Sequence, residues 1–132
     1  MSVASKFVPV SLKPGATAAD RAIFGPIAAP NGVPALLTDG ILIGPHSHVD
    51  VVLSETAGLG VSAKVWWWYQ DAGVWVEDIA IGTIAVTASS TAGAVCTPSA
   101  ATRIYIEITT AAGAYSVSGW AIGLGALGRV GG

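Results

Sequence analysis

Residues Val61 to Glu77 read VSAKVWWWYQDAGVWVE and hold four of the chain's five tryptophans, Trp66, Trp67, Trp68 and Trp75. Valine, tryptophan and tyrosine suit a pleated, half-buried surface, so this is the strongest strand signal in the chain. Gln70-Asp71-Ala72-Gly73 breaks the run, and a glycine closing a short loop supplies the left-handed backbone that hairpins need. The stretch is a β-hairpin. Alternation puts Val61, Ala63, Val65, Trp67 and Tyr69 on one apolar face, the expected core side. Ser62, Lys64, Trp66, Trp68 and Gln70 make the other, mixed face. Loop length then decides Trp75. A loop of Asp71 to Gly73 sets it opposite Tyr69 in the core, whereas one starting at Gln70 sets it opposite Trp68 on the mixed face. We take the shorter loop as the expectation.

Working outward, the 132 residues suffice for one domain with a genuine core. Charged residues make up only 11 %, far below an ordinary soluble domain, and the mean hydropathy is +0.65. No apolar run approaches the ~20 residues of a spanning helix, and the N-terminus lacks the sustained apolar segment of a secretory signal. A hydrophobic, charge-poor chain without either feature is expected to hide surface against other subunits. Six basic residues and a net charge of −2 leave no patch for phosphate neutralisation, which disfavours nucleic acid as a partner. Cys96 is the single cysteine, so an internal disulfide and a cysteine-based zinc cluster are excluded, and folding in a reducing compartment is expected.

Residues 1–38 differ from the rest. Prolines at 9, 14, 26, 30 and 34 prevent long regular elements, and one short helix fits between Thr17 and Phe24 before Gly25-Pro26. Phe7, Val8, Ile23 and Phe24 make this too apolar for a flexible linker, so an extended arm packed on its own sandwich or on a partner is expected, with Phe7 and Phe24 as its contact residues. From residue 39 to 132 the punctuation is that of an all-β domain. The hairpin is joined by strands at Ile41–Ile43, His46–Glu55, Gly82–Thr87, Arg103–Thr110 and Ala114–Leu124, with a small-residue loop at Ala88–Ala101 and a Gly-rich tail. About seven strands at this spacing make a single β-sandwich, jelly-roll-like or immunoglobulin-like.

Chemistry is sparse. His46, His48 and Asp50 alternate on one strand and carry acceptable metal ligands, but with Val49, Val51 and Leu53 facing the core the three are expected simply to face water. No GxSxG elbow frames a serine, and Glu77 and Asp78 point to opposite faces if extended. Gly123 to Gly128 spells GxGxxG, yet no helix pattern follows it. No enzyme and no cofactor are expected. Trp66 and Trp68 are the candidate site. A subunit or partner interface ranks first, burial under the chain's own arm second, and sugar stacking third, since only Lys64 and Gln70 are at hand to hold hydroxyls.

The proline-rich apolar arm, the Ala/Gly/Val/Thr-rich composition and the ending TRIYIEITTAAGAYSVSGWAIG together resemble the small β-sandwich structural proteins of tailed-phage virions. The likeness covers the last third of the chain well and the rest in style. It implies a non-enzymatic component of the virion, assembled in the host cytoplasm. A capsid decoration or cement protein comes first, bound to the major capsid protein or another virion protein as a homo-oligomer, often a trimer, that clamps neighbours with its arms. The alternative is a carbohydrate-binding or tail-fibre module for host recognition. Neither implies a membrane partner.

Overall fold

The computed structural model describes residues 21–25, 27, 31–43, 46–98, 100–111 and 113–126. Nine strands form among them: β1 (Arg21–Phe24), β2 (Ile41–Leu42), β3 (His46–Glu55), β4 (Val61–Tyr69), β5 (Val74–Glu77), β6 (Ile84–Val86), β7 (Thr91–Cys96), β8 (Arg103–Ala111) and β9 (Val117–Ala126). One antiparallel sheet runs β1-β9-β3-β7, and the other runs β2-β8-β4-β5 with β6 also on β4. β5 and β6 pair with successive halves of the same edge of β4, against Trp66–Tyr69 and Val61–Ala63, so they act as one broken strand. The pairings are then nested: β1 with β9, β2 with β8, β3 with β7, and β4 with β5/β6. A long hairpin rolled into two sheets has this order, and it is the jelly roll. The immunoglobulin order, in which neighbouring strands of the chain dominate each sheet, is not what forms.

Two elements differ from expectation. Arg21–Phe24 is strand β1 rather than the end of a short helix. A helix of that length is marginal in water, whereas pairing along β9 satisfies the backbone and lets Phe24 enter the core at 7 % exposure. Thr91–Cys96 is strand β7 inside what reads as a small-residue loop. Its alanines weaken the propensity signal, but they fit: Ala94 and Ala92 lie opposite Val51 and Leu53, where larger side chains would overfill the sandwich.

The alternation holds along β4 to Trp68 and along β8 to Thr109, where a bulge opposite Ser62 and Ala63 interrupts the ladder. Val61, Ala63, Val65 and Trp67 are buried against Ile104, Ile106 and Ile108, and facing them across the sandwich are Val49, Val51, Leu53, Val117 and Ala121. Trp67 is the largest of these, 2 % exposed, and its indole N–H donates to Asp78 Oδ2 at 2.9 Å. Asp78 also receives the amide of Ile81 at 3.2 Å. Cys96 is buried nearby, and burial first, then the charge of Asp78, pushes its thiol up to about 12. Such a thiol stays protonated and inert at neutral pH. Among the described residues no helix is long and apolar enough to cross a membrane.

Glu55 is the unexpected resident of the core. It continues the inward series of β3 and is 1 % exposed. Oε1 accepts the amides of Gly58 (3.0 Å), Leu59 (2.9 Å) and Ser89 (3.0 Å), and Oε2 those of Ala57 (2.7 Å) and Ser116 (3.3 Å). These donors come from the β3–β4, β6–β7 and β8–β9 connections, so one carboxylate ties three loops. Ser89 reaches it with a left-handed backbone, φ +53, uncommon for a residue other than glycine. Burial alone would raise the carboxyl; the donated amides outweigh it and hold the group at about 2, against an ordinary 4.5.

A folded-state value below the unfolded one means that this contribution to stability is complete above about pH 4.5 and is lost as pH falls through 4.5 toward 2. Glu55→Gln keeps the shape but turns an amide NH₂ toward backbone donors. It is expected to lower the melting temperature by on the order of 10 °C at pH 7 and to flatten the acid limb below pH 4.5. Thermal melts by circular dichroism from pH 2 to 7 check both; an unchanged acid limb would show that other carboxylates carry it.

Candidate functional site

The hairpin turn sets the outer face of the β2-β8-β4-β5 sheet. The amide of Gly73 donates to the carbonyl of Tyr69 at 2.8 Å, with Gly73 at φ +66, and the loop is Gln70 to Gly73. This corrects the shorter-loop expectation. Val74 stands opposite Tyr69, and Trp75 stands opposite Trp68 on the outer face, not in the core. The single left-handed glycine closes the turn only after four residues, and that extra residue flips every side chain of β5.

Strand register then builds rows across the face. Leu42, Arg103, Trp68 and Trp75 form one, and Tyr105, Trp66 and Glu77 the next. Trp68 and Trp75 meet edge to face with centroids 5.5 Å apart, and Trp75 meets Tyr105 likewise at 6.1 Å. Each polar handle is used within the chain. Trp66 donates to Glu107 Oε1 and Trp68 to Gln70 Oε1, both at 2.9 Å, and Trp75 to the carbonyl of Leu36 at 3.3 Å. The Tyr105 hydroxyl donates to the carbonyl of Asn31 at 3.2 Å. Lys64 pairs with Glu77 at 3.4 Å on the partly exposed rim, worth at most about 1 kcal/mol.

The carbonyls of Asn31 and Leu36 belong to a strap, residues 31–40, that crosses beside this face. β2 covers only two residues of β8, and the next part of that edge is closed by one side chain. The Asn31 amide donates to the carbonyl of Ile106 at 2.7 Å and its oxygen accepts the amide of Ile108, so a side chain imitates a strand. The strap ends in a 3₁₀ turn, Leu37–Asp39. Asp39 caps it by accepting the amides of Ala35 and Leu36, both at 2.8 Å, and those bonds, Leu36's first, hold its carboxyl below the ordinary value. At Gly40 a Cβ would collide with the Trp75 ring, so only glycine lets the indole lie against the backbone.

Trp66 and Trp68 are thus half-buried on the outer face, beside a strap of the same chain. Phe24, expected at a contact surface of the arm, is instead part of the chain's own core, because β1 lays it inward against β9. Phe7 lies outside the described residues. His48 and Asp50 share the outer side of β3, but His46 does not face water with them. It is 3 % exposed, its Nε2 lies 3.0 Å from the carbonyl of Ile43, and its ring fills the space that a side chain at Gly123 would need. Among the described residues no group of three or more His, Cys, Asp or Glu could hold a metal ion. The GxGxxG spelling begins inside strand β9, at Gly123–Ala126. Sequence reasoning missed Glu55, Asn31 and the use of Trp75. For Glu55 the signal was present, an acidic residue at an inward position of a clean alternation.

Removing the strand-imitating side chain tests the strap. Asn31→Ala leaves the Ile106 carbonyl and Ile108 amide without their partner and is expected to cost ~1–3 kcal/mol. Asn31→Asp, which still accepts but cannot donate, should fall between. Urea unfolding followed by tryptophan fluorescence measures both, and an Asn31→Ala change within ~0.5 kcal/mol of the parent would mean the strap contributes nothing.

No family model matches this chain, and no curated protein matches it. Among solved structures it is similar to the crystal structure of the SPBc2 prophage-derived protein YomS, with a TM-score of 0.43 and 10 % identity over 78 % of this chain and 93 % of that one.

Proposed function

We propose that the chain is a non-enzymatic structural component of a phage virion, most specifically a capsid decoration or cement protein that binds the major capsid protein as a symmetric oligomer. The observation that carries this is the surface. A jelly roll fixed by a buried carboxylate and a strap nevertheless exposes large apolar side chains, among them Leu36 at 63 %, Leu42 at 57 %, Val76 at 43 % and Ile79 at 82 %. Single exposed apolar residues are ordinary; a charge-poor domain that adds them beside half-buried tryptophans has surface suited to protein contact. Capsid association is what the phage-like arm and ending add, and rings of three copies are what that resemblance favours.

Sugar binding draws less support from the same face. A stacking platform presents a flat ring with free polar neighbours, whereas here the rings meet edge to face and their N–H and O–H groups are engaged within the chain. Capsid binding is tested with shells of the encoding phage assembled without this protein. The full chain should co-sediment with them at saturable stoichiometry. β1 and the strap belong to the folded sandwich, so the arm is tested by deleting residues 1–20 alone; that chain should keep its circular dichroism and lose shell binding at least tenfold. A full chain that ignores shells but shows saturable fluorescence changes with glycans would overturn the reading in favour of the host-recognition module.

A further inference from the structure

We propose that two copies of this chain join edge to edge through β5, Val74–Glu77, about a two-fold axis at Val76. The contact deepens the oligomer reading above and rests on it only for self-association. β5 is hydrogen-bonded to β4 and to no other described strand. The amide of Asp78 donates to the carbonyl of Val65 at 2.8 Å, which fixes the phase of that ladder. Val74, Val76 and Asp78 therefore direct their backbone groups to β4, and Trp75 and Glu77 direct theirs outward from the sheet. Free donors and acceptors along an edge are a template for another strand.

This edge is short, four residues, but carries no lysine, no proline and no bulge, and its one charge, Glu77, is answered by Lys64 at 3.4 Å within the same chain. Val74 and Val76 point to the inner side of the sheet yet are 46 % and 43 % exposed, so the opposing sheet does not reach over them. Ile79, in the turn just after β5, is 82 % exposed, and Leu36, whose carbonyl holds the Trp75 indole on the outer side of the sheet, is 63 % exposed.

A second copy answers all of these at once. With the axis at Val76, Trp75 lies opposite the partner's Glu77, and both pairs exchange hydrogen bonds through the outward-facing groups. Val76 lies opposite the partner's Val76 on the uncovered inner side. Glu77 faces an indole and not another carboxylate, so no like charges oppose. The self-complementary spacing, with apolar residues on the axis, favours this chain itself over a foreign strand. An assembly containing the contact holds an even number of chains, either a pair or two rings of three joined through their edges.

Directly opposite residues of a non-hydrogen-bonded antiparallel pair have Cα atoms ~4.5 Å apart, within disulfide range. Val76→Cys in the full chain should therefore cross-link into a covalent pair under mild oxidation, read on a non-reducing gel; the native Cys96 is buried and does not compete. Val74→Cys, which faces the partner's Asp78, should cross-link at least tenfold more slowly. Val76→Lys, placing two ammonium groups on the axis, should reduce the light-scattering mass by half with an unchanged circular dichroism spectrum. A monomer, an odd number of chains, equal cross-linking of the two cysteine variants, or an unchanged mass for Val76→Lys would overturn the proposal. Shell binding separates the two readings: a chain that pairs through Val76 but ignores shells supports this contact and overturns the virion role.

Discussion

A carboxylate removed from water is tolerated only when its charge is answered, and Glu55 is answered by backbone amides rather than by a cation. That choice has structural consequences. A lysine or arginine could satisfy the charge from one flexible side chain, whereas amides can do so only if their loops are brought to it. The β3–β4, β6–β7 and β8–β9 connections are therefore set by the same atom pair, and with them the ends of strands in both sheets. The left-handed Ser89 is held in the same way, its strain offset by a charge-assisted bond. The best-buried acid among the described residues thus fixes the geometry of three loops.

The opposite concern, surface, is handled at the outer face of the β2-β8-β4-β5 sheet. Three indoles and a phenol there would be costly to desolvate with free N–H and O–H groups, and each finds an acceptor within the chain. Two of those acceptors are carbonyls of the strap, whose own position depends on Asn31 closing the β8 edge. One edge of this sheet is therefore blocked by a side chain that imitates a strand, while among the described residues no strand pairs with the other, β5, and its valines are exposed. That asymmetry suits the self-association proposed above, with one direction of growth closed and one available.

Much of this was legible from the residues. The alternation of Val61–Trp68 and Arg103–Ile108 dictated the buried faces correctly, because a period of two leaves no choice once one side is apolar. What was not legible has physical reasons. β7 is built of alanine and glycine, whose weak propensity is overridden by the need for small side chains opposite Val51 and Leu53. β1 is too short to declare itself and exists because β9 offers an edge. Trp75 turned outward on a single residue of loop length, which no propensity encodes. His46 left the face of His48 and Asp50 because Gly123, nearly eighty residues on, leaves a hole for its ring. Such contacts between distant residues are invisible to local pattern, and the strap's hold on the aromatic face is another.

One charge organises three loops, and native-state hydrogen exchange reads that effect at the atoms concerned. The amides of Ala57, Gly58, Leu59, Ser89 and Ser116 lie outside the strands, where exchange is ordinarily fast. If Glu55 holds them, all five should show slow, strand-like exchange in the native chain and lose it together when residue 55 is glutamine, while the amides of β4 and β8 remain slow. Fast exchange at these five positions in the native chain, or protection that survives the substitution, would mean that Glu55 does not hold the three loops.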